Sequence, residues 1–395
     1  MIKQQNWWQL LCIQAGGAVC LPVIMVGQIL AQQYGFFTAF GMIAAGNGLL
    51  LGYAIVSAKM GMESRQPTIE LVIDRFGKYG THLFGGIFLF SMLGWFAIQI
   101  NVVTESISHV LTATFPDIAV PAIVLNVLLG ASMTAVSACG IRGLHLLSQL
   151  SLPLLVGTLG FAMYSATGNE IATPHLFSFT GISLVVATAI GGAIDLPTYW
   201  RHARTHKEGI LAAILLFGLA LPSIELAGVY LGVHAPEGSL LATFTQGGGF
   251  FWNLWVAFFL FIAGWATNNT NLYSAGVNSF SLMPKWNSTQ RTICIGILGT
   301  LLACMGLLQH FTLALEGMGI LIASMGSVMM VAYLQKSVHA LKNYISCAIG
   351  CVFGLMSLAE MFPLTGAPVV DAFLTAATAT ALLQLQRRRH EIFRN

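Results

Sequence analysis

Charge is what this sequence most conspicuously lacks. Asp, Glu, Lys and Arg make up 8% of its 395 residues, against 56% hydrophobic. A soluble domain carries about a quarter charged residues. So little polar material cannot coat a water-facing surface, so lipid must be the solvent over most of the molecule. The net charge of +3 is small and gives no footing for nucleic acid. A disulfide framework is missing as well. Seven cysteines, at 12, 20, 139, 294, 304, 347 and 351, are odd in number and fall mostly inside apolar stretches. Reduced, buried thiols are expected there. Cys347 and Cys351 stand at helical i, i+4 spacing without a His or a further Cys beside them, which makes a metal reading weak. No nucleophile–base constellation, no HExxH and no Walker loop occurs. The histidines fall mostly at the ends of apolar runs, not paired within them as a buried haem would want. An enzyme and an organic cofactor are therefore not expected.

What the chain does have is long apolar runs. A helix needs about 20 apolar residues to cross the hydrocarbon. Twelve candidates occur, near 9–31, 36–60, 81–110, 120–138, 145–167, 180–200, 209–233, 248–280, 291–309, 312–335, 340–360 and 368–386. One lysine precedes the first run and no small-residue cleavage site clearly follows, so it is expected to stay as a span. All 17 Lys and Arg fall in alternate connections, at the span ends that border them, or at the termini. The other connections, such as QQYGF and TATFPDIAV, hold none. The positive-inside rule then places both termini in the cytoplasm, in a multi-pass protein of the cell (plasma) membrane. The tail RRRHEIFR is expected to rest on the inner leaflet.

Two heptapeptides repeat. GGAVCLP occupies 16–22 in span one and GGAIDLP occupies 191–197 in span six. A second pair, GWFAIQIN from Gly94 and GWATNNTN from Gly264, relates span three to span eight. Five spans separate the copies, so paired helices run in opposite directions. That is the signature of an inverted-topology repeat. The division expected is 1–170 and 171–335 as two five-helix repeats, with 336–395 as two trailing helices and a basic tail. Glycine pairs followed by proline should interrupt spans one and six. Freed backbone groups are tolerated only where they line a protein-walled or watered cavity. Ordinary packing kinks are the blander alternative, and two symmetric motifs favour a site.

Several polar residues lie inside apolar runs. Trp95 and Gln99 are one turn apart and share a helix face. An indole beside a carboxamide suits a flat heterocycle, by stacking and by paired donor and acceptor. The alternative is a core Trp with a Gln bonding a neighbouring helix. TNNTN, Thr267 to Asn271, is the most polar run within a span, with Thr267 and Asn271 on one face and Asn268 beside them. It reads as oxygen ligands for a substrate or cation, or as helix–helix hydrogen bonds. Asp195, inside the second motif, could accept from freed amides, bind a cation, take a proton, cap locally or pair with Arg201. Glu225 and Glu316 could carry protons or bond inside the bundle. Glu105 and His109, at i, i+4, are expected to pair with each other.

GWFAIQ, IDLPTYWR and TNNTNLY resemble the nucleobase–cation symporter family, which includes cytosine, purine–cytosine and hydantoin permeases. The resemblance runs over nearly the whole chain; GWFxxQ and the Thr-Asn run are moderately specific motifs. It implies an all-α fold of twelve transmembrane helices, a LeuT-type 5+5 inverted repeat with helices 1 and 6 broken. A bundle of spans one, two, six and seven would rock against a scaffold that includes spans three, four, eight and nine. Substrate would stack on Trp95 and meet Gln99, Asn268 and Asn271. A sodium ion would lie between the Gly16 and Val19 carbonyls, the Ala263 carbonyl and the Thr267 hydroxyl. Three positions depart from the family. Ala189 stands where a second aromatic is usual, leaving a wider pocket. Ala266 lacks the second sodium hydroxyl, so coupling stays open between Na⁺ and protons carried by Asp195 or Glu225. Met92 replaces a glutamine of the cytosine permeases.

The expectation is a symporter taking up a nucleobase or related flat heterocycle with Na⁺ or H⁺ by alternating access. Its partners would be that small molecule and the bilayer, with no nucleic acid, in a monomer or weak homo-oligomer. Alternatives are an amino acid or amine carrier of the same fold and, less favoured, a membrane-embedded enzyme.

Overall fold

The computed structural model describes residues 4–18, 20–115, 117, 120–138, 157, 159–161, 163–164, 177–234, 249–336 and 339–392. Most of the fifth predicted span, 145–167, lies outside the described residues, as do Val19, Lys3, Cys139 and Arg142. The side chains of 387–389 do too, so the tail's contacts are not described. Every other predicted span falls on a helix. Among the described residues seven helices are long and apolar enough to cross a bilayer, and the bent pair at the start, taken as one span, makes an eighth. Shorter apolar helices account for spans four and twelve, and Ser288–Cys304 for span nine. The chain is a multi-pass membrane protein.

Span one is two helices, α1 (Trp7–Ala18) and α2 (Leu21–Tyr34), bent by 66°. Cys20 between them is extended, at φ −138° and ψ 166°. Pro22 then sits in the first turn of α2, where its missing N–H costs nothing. Span two is α3 (Phe36–Ser64). Helix α4 (Thr68–Thr114) starts well before the predicted span three. Its leading turns end at Gly77, which takes φ +70°, a conformation costly for a residue with a Cβ. Span four is α5 (Ala122–Ala138).

Span six is α6 (Phe179–Ile194) followed by α7 (Leu196–Trp200). The break here is smaller than the matching motifs suggest. Asp195 alone leaves helical geometry, at φ −85° and ψ 5°, and residues 179–200 keep one direction. Hydrogen bonding passes across the gap: Asp195 N–H donates to the Gly191 carbonyl at 3.1 Å, and Thr198 N–H to the Asp195 carbonyl at 3.0 Å. Span seven comprises α8 (His206–Leu215), a π-helical stretch Leu216–Ala220 and α9 (Leu221–His234). Pro222 explains the widening, because its ring clashes with the carbonyl four residues back, inside that stretch. The rest are α10 (Phe250–Asn278), α11 (Ser288–Cys304), a 3₁₀ turn with α12 (Phe311–Leu334), α13 (Ala340–Leu358) and α14 (Pro368–Ile392).

Packing follows the repeat. Helix α2 lies along α9, α3 along α6, α10 along α4 and α11 along α5. In span numbers these are 1 with 7, 2 with 6, 3 with 8 and 4 with 9. Exchanging the first five spans for the second five leaves that pattern unchanged, as an inverted repeat requires. The α2–α9 seam is made by glycine. A Cβ on Gly27 would stand 1.9 Å from the Glu225 carbonyl oxygen, and one on Gly228 2.1 Å from that of Ile24. Small residues of this kind let membrane helices approach backbone to backbone. The cysteines described are all free. Glu105 and His109 do not pair: both are exposed, where water competes with the ion pair.

Candidate functional site

A cavity of about 70 Å³ lies where the two interruptions meet α4 and α10. Several water-sized sites fit in that space. Span one gives it Gln14, Gly17 and Cys20, and span six gives Thr188, Ala189 and Asp195. Helix α4 presents Phe88, Met92 and Trp95, one turn apart, which makes an apolar wall. Helix α10 answers with Thr267, Thr270, Asn271 and Ser274. One aromatic-lined face thus opposes a polar one, which suits a planar ligand carrying donors and acceptors.

Of the residues singled out in the sequence, Trp95, Ala189, Thr267, Asn271 and Asp195 come together on this cavity. Gln99 and Asn268 do not line it. Gln99 is fully buried against Gly264 of α10, and neither of its amide atoms has a partner. Asn268 faces the scaffold, where Nδ2 donates to the Phe96 carbonyl at 3.3 Å and lies 3.2 Å from Met133 Sδ. Its Oδ1 accepts from Asn271 Nδ2 at 3.4 Å. Asn268 therefore joins α4, α5 and α10, and of the two asparagines only Asn271 lines the cavity.

The cation residues are placed unevenly. Thr267 Oγ1 donates to the Ala263 carbonyl at 3.1 Å. Gly16 is buried in the last turns of α1, next to Gly17, and Val19 is outside the described residues. A Cβ on Gly17 would come within 2.8 Å of the Thr270 side chain, so the first interruption presses directly on α10. A hard cation wants oxygen ligands. The described set offers the Gly16 and Ala263 carbonyls and the Thr267 hydroxyl, and nothing from Ala266. Among the described residues no group of three or more His, Cys, Asp or Glu could hold a metal ion.

Asp195 is the hub beneath the cavity. Its Oδ1 accepts from Thr68 Oγ1 at 2.8 Å, Thr198 Oγ1 at 2.6 Å and Asn278 Nδ2 at 3.0 Å. Oδ2 accepts from Ser274 Oγ at 2.6 Å, and Ser274 lies 2.7 Å from the Tyr199 hydroxyl. The Asp195 side chain makes no cap bond to the backbone of α7; its local contact is the Thr198 hydroxyl, and Arg201 is not the partner. Span six is thereby tied to α10 and to the first residue of α4. Sequence reading missed Ser274 and Asn278, although a signal existed. Thr267, Asn271, Ser274 and Asn278 continue one stripe at steps of four, three and four. Glu316, on α12, is buried with Oε1 lacking a partner, and Ser183 of α6 accepts from the Val369 amide at 3.0 Å. Glu225 stands apart from the cavity, facing Asn47 of α3.

No protein-family model and no curated protein matches the chain. Solved structures do. Mhp1, described as a nucleobase-cation-symport-1 family transporter, in a closed conformation with bromovinylhydantoin bound, aligns with a TM-score of 0.74 at 14% identity, over 97% of this chain and 94% of that one. A Na⁺-coupled sialic acid symporter in a substrate-bound outward-open state aligns at 0.67 and 12% identity, over 96% and 89%. MhsT in complex with L-phenylalanine aligns at 0.67 and 16%, over 98% and 99%. With its own helices paired as an inverted repeat, this chain has the LeuT-type fold shared by these transporters.

Proposed function

We propose that the protein is a secondary active symporter of the nucleobase–cation kind, taking up a nucleobase or related flat heterocycle with Na⁺ or H⁺. The observation that carries this is Trp95 on the wall of a cavity flanked by both interruptions, opposite the hydroxyls and amide of α10. Residues 1–170 and 171–335 act as the two inverted repeats, and 336–395 as an appendage. Spans one, two, six and seven move against α4, α5, α10 and α11. Substrate lies on Trp95, with Asn271 as its first polar contact and Ala189 leaving room on the far side. Gln99, one turn from Trp95 and without a partner, turns toward the ligand when the cavity widens, and Asn268 holds Asn271 in place. The Gly16, Val19 and Ala263 carbonyls and the Thr267 hydroxyl are the candidate cation ligands; Asp195 and Glu225 are the candidate proton carriers. No organic cofactor is needed. Both termini are cytoplasmic, which puts the Asp195 hub on the inner side of the cavity.

Labelled cytosine, uracil and hydantoin, offered to proteoliposomes with Na⁺ and pH gradients imposed separately, test the reading. At least one is accumulated, and unlabelled bases compete while amino acids do not. The reverse competition pattern would establish the amino acid carrier instead. Base–aromatic stacking is worth about 1–3 kcal/mol, so Trp95→Ala weakens apparent affinity by about 5-fold to 150-fold. Unchanged affinity in that variant refutes the pocket assignment.

A further inference from the structure

Glu225 and its neighbour Asn47 are one donor short. Glu225 is 0% exposed and Asn47 3%. Asn47 Nδ2 donates to Glu225 Oε2 at 2.5 Å and to the Ile43 carbonyl at 3.0 Å. Those two bonds use both amide hydrogens. They also fix which way the amide points, because a flipped Asn47 would set its oxygen against two acceptors. Asn47 Oδ1 and Glu225 Oε1 are then left buried with no partner. Two unmet acceptors, one of them charged, are costly in an apolar interior.

Among the described residues, no charge nearby would hold Glu225 ionised; the described part of span five that meets α9, at Leu159, Gly160 and Met163, carries none. Helix α2, packed against it along the glycine seam, carries no Asp, Glu, Lys, Arg or His, and neither does α6. On α3 the charged residues are Lys59 and Glu63, which begin twelve residues beyond Asn47, about 18 Å at the helical rise. On α9 itself the other titratable groups are Tyr230 and His234, more than one turn away. The π-helical stretch before it has none. Glu225 thus has one amide and no cation, where Asp195 has four donors.

A second, largely apolar space adjoins the pair. Asn47 lines this cavity of about 290 Å³ between α3 and span seven, together with Phe217, Pro222 and Leu226. Phe217 also forms part of the central cavity wall. One ring on the widened π turn therefore stands between the two spaces.

We propose that Glu225 is the proton-binding site of the transport cycle, occupied in this conformer, with Oε1–H donated to Asn47 Oδ1. One proton then closes a two-bond acid–amide ring and satisfies both acceptors. Water delivers the proton to the carboxylate through the Asn47 cavity, and the O–H bond breaks to return it to water when the bundle shifts. The coupling role rests on the symporter reading above; the protonated state does not.

Two measurements separate these. Infrared difference spectra of the purified protein in lipid, taken across a pH titration, show the carbonyl stretch of a protonated carboxylic acid. The band disappears in Glu225→Gln and moves to higher frequency in Asn47→Ala, which deprives it of its hydrogen-bond donor. Glutamine has the shape of the neutral acid and can give Asn47 the missing donor, so Glu225→Gln keeps the fold. In proteoliposomes with labelled cytosine, uracil or hydantoin, an inward proton gradient stimulates wild-type uptake several-fold, and in Glu225→Gln the ratio falls to about one. A spectrum lacking the Glu225 band overturns the site. Persistent stimulation in Glu225→Gln overturns its coupling role. If the wild type moves none of these bases while the band is present, the protonated site stands and the nucleobase reading falls.

Discussion

Among single residues, glycine and the buried polar side chains divide the work of this molecule. Gly228 has no room for a methyl group, because its Cβ would meet the Ile24 backbone oxygen at 2.1 Å. Neither helix can yield without separating the α2–α9 seam. Gly228→Ala is therefore expected to destabilise by about 1–3 kcal/mol, the usual cost of overpacking. Gly52, on the same bundle, has nothing within 4 Å of its Cβ. Gly52→Ala should be neutral or stabilising by up to about 1 kcal/mol, from helix propensity alone. Thermal midpoints in detergent compare the two. Residue identity was a good guide to which side chains need partners and a poor guide to where they turn. Trp95 and Gln99 share a face by spacing, yet Gln99 rests on Gly264 while Trp95 reaches the cavity. The same limit applies to Asn268 and Asn271, whose roles are set by Phe96 and Met133 on other helices.

At the level of helices, the reading from sequence was accurate where hydrocarbon thickness decides. Span six ends at Trp200, and α10 covers Phe250–Asn278, close to the predicted limits. It was less accurate about the depth of the second interruption. GGAVCLP and GGAIDLP carry the same glycines and proline, but only the latter has a carboxylate. Donors from Thr68, Ser274 and Asn278, far away in sequence, hold that carboxylate, and span six lacks the sharp bend of span one. The extension of α4 back to Thr68 was also missed, because its leading turns are too polar to count as membrane span. Removing one strut of the hub should open a path from the side on which the hub lies, the inner face in the orientation proposed above. Cys20 lines the cavity and is 2% exposed, which makes it a built-in reporter. With the other six cysteines replaced by serine, Ser274→Ala is expected to raise the rate of Cys20 modification by a membrane-impermeant maleimide several-fold from the inner face. An unchanged rate would mean that Ser274 does not help to close that side.

For the molecule as a whole, the end of the bundle below the hub is stitched by backbone. Gln5 N–H donates to the His202 carbonyl and Arg204 N–H to the Gln5 carbonyl, each at 2.8 Å, forming a parallel bridge between Gln5 and Ala203. The Arg65 guanidinium donates to the Arg201 and Ala203 carbonyls at 2.9 and 2.7 Å. His202 sits in this stitch, outside the spans. Burial, then the charges of Arg201 and Arg65, lower its pKa from 6.5 to about 4. A lowered histidine favours the fold in its neutral form. Its contribution is complete above about pH 6.5 and is lost as pH falls from there toward 4. Amide exchange at Gln5 and Arg204, corrected for intrinsic rates, should therefore quicken between pH 7 and pH 4.5 in the wild type and change less in His202→Gln. The unequal interruptions carry a last implication. An inverted repeat relates two units of like build, so a shape available to one is, to a first approximation, available to the other. Here the leading unit is folded sharply at its glycine motif while its counterpart stays drawn out. Trading those two shapes, with span one straightening as span six creases at Asp195, would turn the vestibule to the opposite face of the bilayer without any new element of structure.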